Sequence, residues 1–124
     1  MAEVEGVVAS AIEVLEIEEV RPLLARGGEA FTPAERAYAT SKSDPERRLA
    51  ARLAAKRAAC RLLGDGMGPE DVEVTRGLGG PPGLRLSPQA HSRLLALGAK
   101  SALVSLTHER RHAAAAVVLL RGDP

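Results

Sequence analysis

Apolar residues near the start of the chain recur at even spacings, which is the period of a β-strand. Val4, Val8, Ile12 and Val14 follow this spacing, and glutamates occupy positions between them. Gly6 interrupts the pattern close to its start. The alternation therefore predicts a strand in this segment, with an interruption at the glycine.

The apolar spacing then changes to that of helices. Ile17, Val20 and Leu24 suit one face of a first helix, which we predict to end at the glycine pair 27–28. Residues 32–35, Thr-Pro-Ala-Glu, form a capping box with proline at the first helical position, so a second helix is predicted to begin there. The first third of the chain is thus predicted to be a strand followed by two helices.

The longest predicted helix begins at Asp44, has Pro45 in its first position, runs to Leu63 and ends at Gly64. Alanines separate its apolar residues, and its basic residues are predicted to give it a dense positive surface. A basic helix face is usually solvated, so this charge alone does not indicate a site. The apolar positions are Leu49, Leu53, Cys60 and Leu63, and the basic positions are Arg47, Arg48, Arg52, Lys56, Arg57 and Arg61.

Two hairpins are predicted in the second half of the chain. Residues 72–76 and 84–86 alternate in polarity and predict the strands of the first hairpin, and residues 77–83, rich in glycine and proline, predict its turn. Residues 102–106 and 113–120 predict a second antiparallel hairpin around a polar turn.

A further helix is predicted between the two hairpins. Ser87 and Pro88 mark its start and Gly98 follows its end, with Ala90, Leu94 and Leu97 on one side. The complete order of strand, helices, hairpin, helix and hairpin predicts an α+β domain.

The length of 124 residues predicts a single domain over residues 1–124. Phe31 and Tyr38 are the only aromatic residues, so the core is predicted to consist of leucine, valine, isoleucine and alanine. A small core of short side chains is weak, and oligomerisation would stabilise it.

Charge and cysteine content narrow the classes of partner. The formal net charge of +1 predicts no strong general attraction to nucleic acid or to a membrane. The longest apolar runs are too short for a bilayer span, and the N-terminus lacks a signal-peptide pattern, so a cytoplasmic location is the default expectation. Cys60 is the single cysteine, which excludes an internal disulfide and argues against a thiolate metal site.

Three stretches, taken in order, carry a resemblance to one family. The first is residues 11–17, Ala-Ile-Glu-Val-Leu-Glu-Ile. The second joins residues 31–35, 52–58 (Arg-Leu-Ala-Ala-Lys-Arg-Ala) and 64–68 (Gly-Asp-Gly-Met-Gly), and the third is residues 104–108, Val-Ser-Leu-Thr-His. In this order and spacing they resemble the motifs of the holo-acyl-carrier-protein synthases, which are 4′-phosphopantetheinyl transferases. The resemblance extends over nearly the whole chain.

The resemblance implies a fold, a reaction and partners. The fold would be an α+β domain that assembles as a homotrimer with active sites between subunits. The reaction would transfer phosphopantetheine from coenzyme A to a serine of an acyl carrier protein. Mg²⁺ would be held by an aspartate of the first motif, a glutamate of the second and the pyrophosphate oxygens, because this hard ion prefers oxygen ligands.

The chain departs from the family at positions that this chemistry uses. Glu13 replaces the aspartate and Arg57 replaces the glutamate, while Arg61 keeps the positive charge of a family lysine. Ala11 replaces a glycine before the aspartate, and Glu19 replaces an arginine that contacts the acidic carrier protein. An arginine cannot ligate a metal, so weak or absent Mg²⁺ binding is predicted.

The candidate site residues follow from this resemblance. We predict catalytic roles for Glu13, Arg57 and Arg61, with Glu13 as the single, weak candidate for metal binding. On the residue pattern alone, Glu13 could equally be the polar side of a strand and His108 a structural turn residue. The residues predicted to bind coenzyme A are Arg52, Lys56, Arg61, Gly64, Gly66 and His108.

Three functional hypotheses remain open at this stage. In the first, the chain is a transferase in which Arg57 stands in for the metal and, with Arg61 one turn later, holds phosphate oxygens. In the second, it is a catalytically silent relative that binds coenzyme A, a carrier protein or an active paralogue. An RNA-binding domain is disfavoured, because few aromatic residues are available to stack on bases and the net charge is near zero.

Overall fold

The computed structural model describes residues 6–26, 30–76 and 80–123. Over these residues the chain has the α+β architecture expected from the sequence, and a single turn of 3₁₀ helix precedes the second strand. The helices are α1 (Ile17–Arg26), α2 (Pro33–Thr40), α3 (Pro45–Leu63) and α4 (Pro88–Ala96), and the strands are β1 (Val7–Glu16), β2 (Val72–Arg76), β3 (Pro82–Leu86), β4 (Ser101–His108) and β5 (His112–Leu120).

The strands form two antiparallel sheets. A three-stranded sheet has the order β1-β5-β4, and β2 pairs with β3 in a separate hairpin. Glu13 of β1 lies opposite Ala115 of β5, which lies opposite Leu106 of β4. Because residues paired in this way share a face of the sheet, these three side chains project to the same side.

Helix α3 packs across that face and completes the core. Alternate residues of β5 are buried in this core, and so are six alanines of α3. Short side chains let the helix and the sheet approach closely, which agrees with the predicted core of small aliphatic residues. The buried residues of β5 are Ala113, Ala115, Val117 and Leu119, and the buried alanines of α3 are Ala50, Ala51, Ala54, Ala55, Ala58 and Ala59.

The opposite face of the three-stranded sheet is apolar and uncovered in the single chain. Ile12 and Val14 are 66% and 64% exposed, and Leu103 of β4 is 45% exposed. We call these three residues the outer sheet face. The predicted N-terminal strand is confirmed from Val7 onward, whereas Val4 lies outside the described residues.

The predicted helix limits agree with the structure wherever it describes them. The capping box is present, since Glu35 N donates to Thr32 Oγ1 at 3.2 Å and Thr32 N donates to Glu35 Oε1 at 2.8 Å. α3 begins at Pro45 and ends before Gly64. The predicted end of α1 at residues 27–28 lies outside the described part of the chain.

Three sequence-based predictions need correction. Arg52 and Lys56 are buried, so α3 does not present all its basic side chains at the surface. The strand β3 begins at Pro82, two positions before its predicted start. The strand β4 ends at His108, two positions after its predicted end. Residues 77–79 of the predicted turn lie outside the described residues. In the part that is described, no helix is long and apolar enough to cross a membrane.

Candidate active site

Lys56 forms an ion pair in the interior. Its side chain is 1% exposed, and its ammonium donates to Glu35 Oε1. The other oxygen of this carboxylate, Oε2, accepts the backbone N–H of Val74 in β2 at 2.8 Å. Glu35 therefore joins α2, α3 and β2, and Lys56 neutralises it. Lys56 also lines the cavity beside Arg57 that is described below, so its predicted role in binding coenzyme A stays a prediction.

Arg52 lies one turn earlier on the same buried side of α3. Its guanidinium is 4.0 Å from the centroid of the Tyr38 ring, and burial lowers its pKa. Burial alone would raise the pKa of Tyr38, but nearby cations, Arg76 foremost, lower it on balance. Arg52 thus fixes α2 against α3, and its position does not support a role in binding coenzyme A within one chain.

Arg61 and Glu13 meet at the other side of α3, where solvent reaches both. Arg61 Nη1 lies 2.8 Å from Glu13 Oε2, and the two side chains are 56% and 23% exposed. Arg61 Nη2 also donates to the carbonyl oxygen of Ile12 at 2.7 Å. The structure therefore brings together two of the three residues predicted to be catalytic.

Arg57 is exposed and lies one turn before Arg61. No hydrogen bond or ion pair of its guanidinium is found among the described residues. It lies at the edge of a cavity of about 440 Å³ between α1, α3 and the loop that follows α3. The walls are mainly apolar, and Glu70 adds one carboxylate to the lining. A ligand with an anionic group and an apolar extension would fit a cavity that has Arg57 at its edge and mainly apolar walls.

The two predicted phosphate-loop glycines have different surroundings. Gly64 has φ of +97°, and a side chain there would meet Arg93, whose Nη1 donates to the carbonyl of Leu63 at 2.8 Å. Its first role is to end α3. Gly66 has φ of +89° and open space around it, so a ligand can approach its backbone.

His108 lies at the opposite end of α3. It is the last residue of β4, and its Nε2 is 3.9 Å from Oδ2 of Asp44, the residue before α3. About 25 Å of helix separates Asp44 from Arg61 at roughly 1.5 Å per residue. The predicted set of Arg61 and His108 is therefore not assembled within one chain.

The donor set does not fit the Mg²⁺ that the family resemblance implies. Glu13 is the only carboxylate at the two family ligand positions, and it already accepts from Arg61. The second position holds the guanidinium of Arg57. Among the described residues, no cluster of three or more histidine, cysteine or acidic side chains could hold a metal ion.

Comparison with known proteins establishes the family. No protein-family model matches the chain. The holo-[acyl-carrier-protein] synthase of Moorella thermoacetica is 36% identical over 117 residues, which cover 89% of this chain and 91% of that protein. The chain belongs to the holo-[acyl-carrier-protein] synthase family. The synthase of Nitratidesulfovibrio vulgaris is 38% identical over 122 residues, with 91% and 98% coverage.

A solved holo-acyl-carrier-protein synthase also shares the fold. The Bacillus anthracis protein, whose crystal structure is a complex with coenzyme A (3′,5′-ADP), superposes with a TM-score of 0.73 at 26% identity. The alignment covers 94% of this chain and 99% of that one. The α+β fold inferred from the sequence is thereby confirmed as the holo-acyl-carrier-protein synthase fold.

Sequence reasoning missed the interior polar residues, although a signal for them was present. Lys56 lies three positions after Leu53 and four before Cys60, both of which were assigned to the apolar side of α3. A residue at that spacing shares their face. The periodicity could thus have placed Lys56 in the core, where a buried acid such as Glu35 becomes necessary.

Proposed function

We propose that this chain transfers 4′-phosphopantetheine from coenzyme A to a serine of an acyl carrier protein. The observation that carries the proposal is its 36% identity, over 89% of its length, to a named holo-[acyl-carrier-protein] synthase. In the proposed reaction the serine oxygen forms a bond to the β-phosphorus of coenzyme A. The bond from that phosphorus to the bridging oxygen breaks, adenosine 3′,5′-bisphosphate leaves with the electron pair, and the serine proton passes to water.

The cavity beside Arg57 supports coenzyme A as the ligand. Phosphoryl transfer depends mainly on positioning and on neutralising charge. Arg57 supplies positive charge at the cavity edge, and Arg61 follows it one helical turn later on α3. The apolar walls, formed in part by Leu23, Leu53 and Met67, suit the uncharged pantetheine arm. Gly66 leaves room for a phosphate near the backbone.

We also propose that the active form is a homotrimer. The outer sheet face leaves large apolar side chains exposed, and burial against copies of the chain would remove them from water. His108 and Arg61 lie too far apart in one chain to bind one ligand, so a neighbouring subunit would supply one of them. Light scattering at micromolar concentration should give the trimer mass, and Ile12→Lys should give monomers.

A catalytically silent relative is the second candidate. The departure at Arg57 and the engaged carboxylate of Glu13 favour it, because the family's pair of metal ligands is not present. Glu19, which is exposed on α1, also reverses the charge at the position that meets the carrier protein. Such a protein would bind coenzyme A or a partner without transfer. We propose a cytoplasmic location for either form.

The deciding experiment is incubation of the chain with coenzyme A and several apo carrier proteins, followed by intact mass measurement. A carrier that gains the mass of phosphopantetheine supports the transferase. If no carrier is modified, with Mg²⁺ or with a chelator, the transferase proposal fails and the silent relative remains. A serine-to-alanine carrier variant is the control, since it must not gain mass.

A further inference from the structure

Glu13 and Arg57 stand at the two positions where the family resemblance places the ligands of a divalent cation, and Arg61, at the position of a family lysine, pairs with Glu13. We infer that Arg61 and Arg57 take the place of that cation, so that two guanidinium groups neutralise the diphosphate of coenzyme A; this rests on the function proposed above. Arginine in place of glutamate at position 57 changes the local charge by +2, which is the charge of one Mg²⁺, and Arg61 keeps the charge of the family lysine. Both guanidiniums also present planar forks of donors that match phosphate oxygens.

The contacts of Arg61 hold its guanidinium in a defined position. One N–H group faces Glu13 at 2.8 Å and another donates to Ile12 O at 2.7 Å. A guanidinium has five N–H donors, and these two contacts leave donors for a ligand. With 56% of the side chain exposed, an incoming phosphate can reach them without displacing the protein contacts.

Glu13 acts on Arg61 instead of on a metal. Its carboxylate lies on the α3 side of the sheet, where it pairs with Arg61. A carboxylate bound to a guanidinium would have to release it before ligating Mg²⁺. We therefore assign Glu13 to the ion pair with Arg61, which Ile12 O also holds, and not to a metal.

Arg57 adds a second positive charge on nearly the same stripe of α3. Like charges four positions apart on a helix repel each other, and Arg57 makes no ion pair with an acidic side chain among the described residues. A bound diphosphate would relieve this repulsion. The arrangement is therefore better suited to a polyanion than to a cation.

Metal binding can be measured without relying on activity. Electron paramagnetic resonance with Mn²⁺ and protein each at ~0.1 mM should show no Mn²⁺ site that depends on the protein, with or without coenzyme A. This concentration is well below the millimolar range in which weak sites fill. Free coenzyme A without protein is the blank. The variant Glu13→Asp, Arg57→Glu, Arg61→Lys restores the family residues and should acquire the site. If the natural chain binds Mn²⁺ more tightly than the blank, the inference is wrong, and Glu70, which lines the cavity, would be a candidate ligand.

Calorimetry with coenzyme A tests the role of Arg61 directly. The affinity of the natural chain should be the same in a chelator as in Mg²⁺. Arg61→Gln should weaken binding about tenfold, the equivalent of about 1.4 kcal/mol. Lys100→Gln is the matched control, since it removes one exposed positive charge at the start of β4, several strand positions from Glu13, and should have no effect.

The outcomes separate this inference from the proposed function. Transfer that persists in a chelator supports both, and transfer that a chelator abolishes and Mg²⁺ restores overturns the inference alone. If no carrier is modified, the transferase proposal fails, while the Mn²⁺ and calorimetric results still decide how the diphosphate is held. Unchanged coenzyme A affinity in Arg61→Gln would also overturn the inference.

Discussion

Two of the ion pairs that residues of helix α3 make differ sharply in their exposure to solvent. Lys56 and Glu35 are almost fully removed from solvent, whereas Arg61 and Glu13 keep 56% and 23% of their side-chain surface. The two basic residues are five positions apart, so at about 100° per residue they project from different sides of the helix. One pair joins secondary-structure elements, and the other leaves donors for a ligand.

This difference shows that burial, and not residue type, separates the roles of the basic residues of α3. A buried charge needs its partner, because an unpaired charge in the interior is strongly destabilising. An exposed ion pair contributes little to stability. Arg61 can therefore be adapted to ligand binding at small cost to the fold, while Lys56 cannot.

The largest expected effect is the loss of the buried pair. Lys56→Met leaves the Glu35 carboxylate buried without its cation, and we expect the free energy of unfolding to fall by about 3–5 kcal/mol. Urea unfolding followed by circular dichroism measures this. Arg57→Met is the control at the adjacent, exposed position and should change stability by less than about 0.5 kcal/mol. An equal loss of unfolding free energy in both variants would show that burial does not set the contribution of these two basic residues.

A smaller effect is expected at Asp71, an acid that stabilises the fold through hydrogen bonds. Its carboxylate accepts from Gly68 N at 3.0 Å and Ser87 Oγ at 2.7 Å, and these two bonds lower its pKa. The stability it contributes is therefore complete above the unfolded-state value, about pH 4, and is lost as the pH falls through the lower folded-state pKa.

Asp71→Asn should accordingly destabilise the chain by about 1 kcal/mol at pH 7. The difference from the natural chain should shrink below about pH 4, where Asp71 of the unfolded chain begins to be protonated while its folded-state pKa is lower. Urea titrations at pH 7, 5, 4 and 3 measure it. A difference that stays constant over this range would show that the charge of Asp71 is not responsible.

The smallest expected effect concerns Glu13. In Glu13→Gln a negative charge near the proposed diphosphate site is removed, while Arg61 keeps its contact with Ile12 O. At a separation of about 6 Å in water the relief is about 0.7 kcal/mol, so coenzyme A should bind about threefold more tightly in calorimetry. A metal-ligand role for Glu13 predicts the reverse, since the variant would then lose Mg²⁺-dependent affinity.

The fold could be predicted from the sequence because its start and stop signals are local. Thr32 and Glu35 define the beginning of α2, Pro45 that of α3, and Gly64 its end, and each depends on neighbours within one helical turn. The start of β3 was less predictable, since Pro82 and Gly83 are typical turn residues, and only their pairing with β2 makes them part of a strand.

The candidate site was predictable only in part. Alignment with the family motifs indicated Glu13 and Arg61, which the structure brings into contact. It could not show that Lys56 is enclosed or that His108 lies at the far end of α3, because both depend on how distant segments pack. Whether Arg57 holds phosphate stays a prediction.

The Glu35 carboxylate also has a consequence for how the protein opens. Its two oxygens bind the backbone N–H groups of Thr32 and Val74, in segments far apart in sequence, and its charge is balanced by Lys56 in a third. None of these segments can detach without leaving a buried charge or donor unsatisfied. α2, the middle of α3 and β2 should therefore behave as one cooperative unit, and the amide hydrogens of Thr32 and Val74 should exchange with solvent only when the whole domain unfolds.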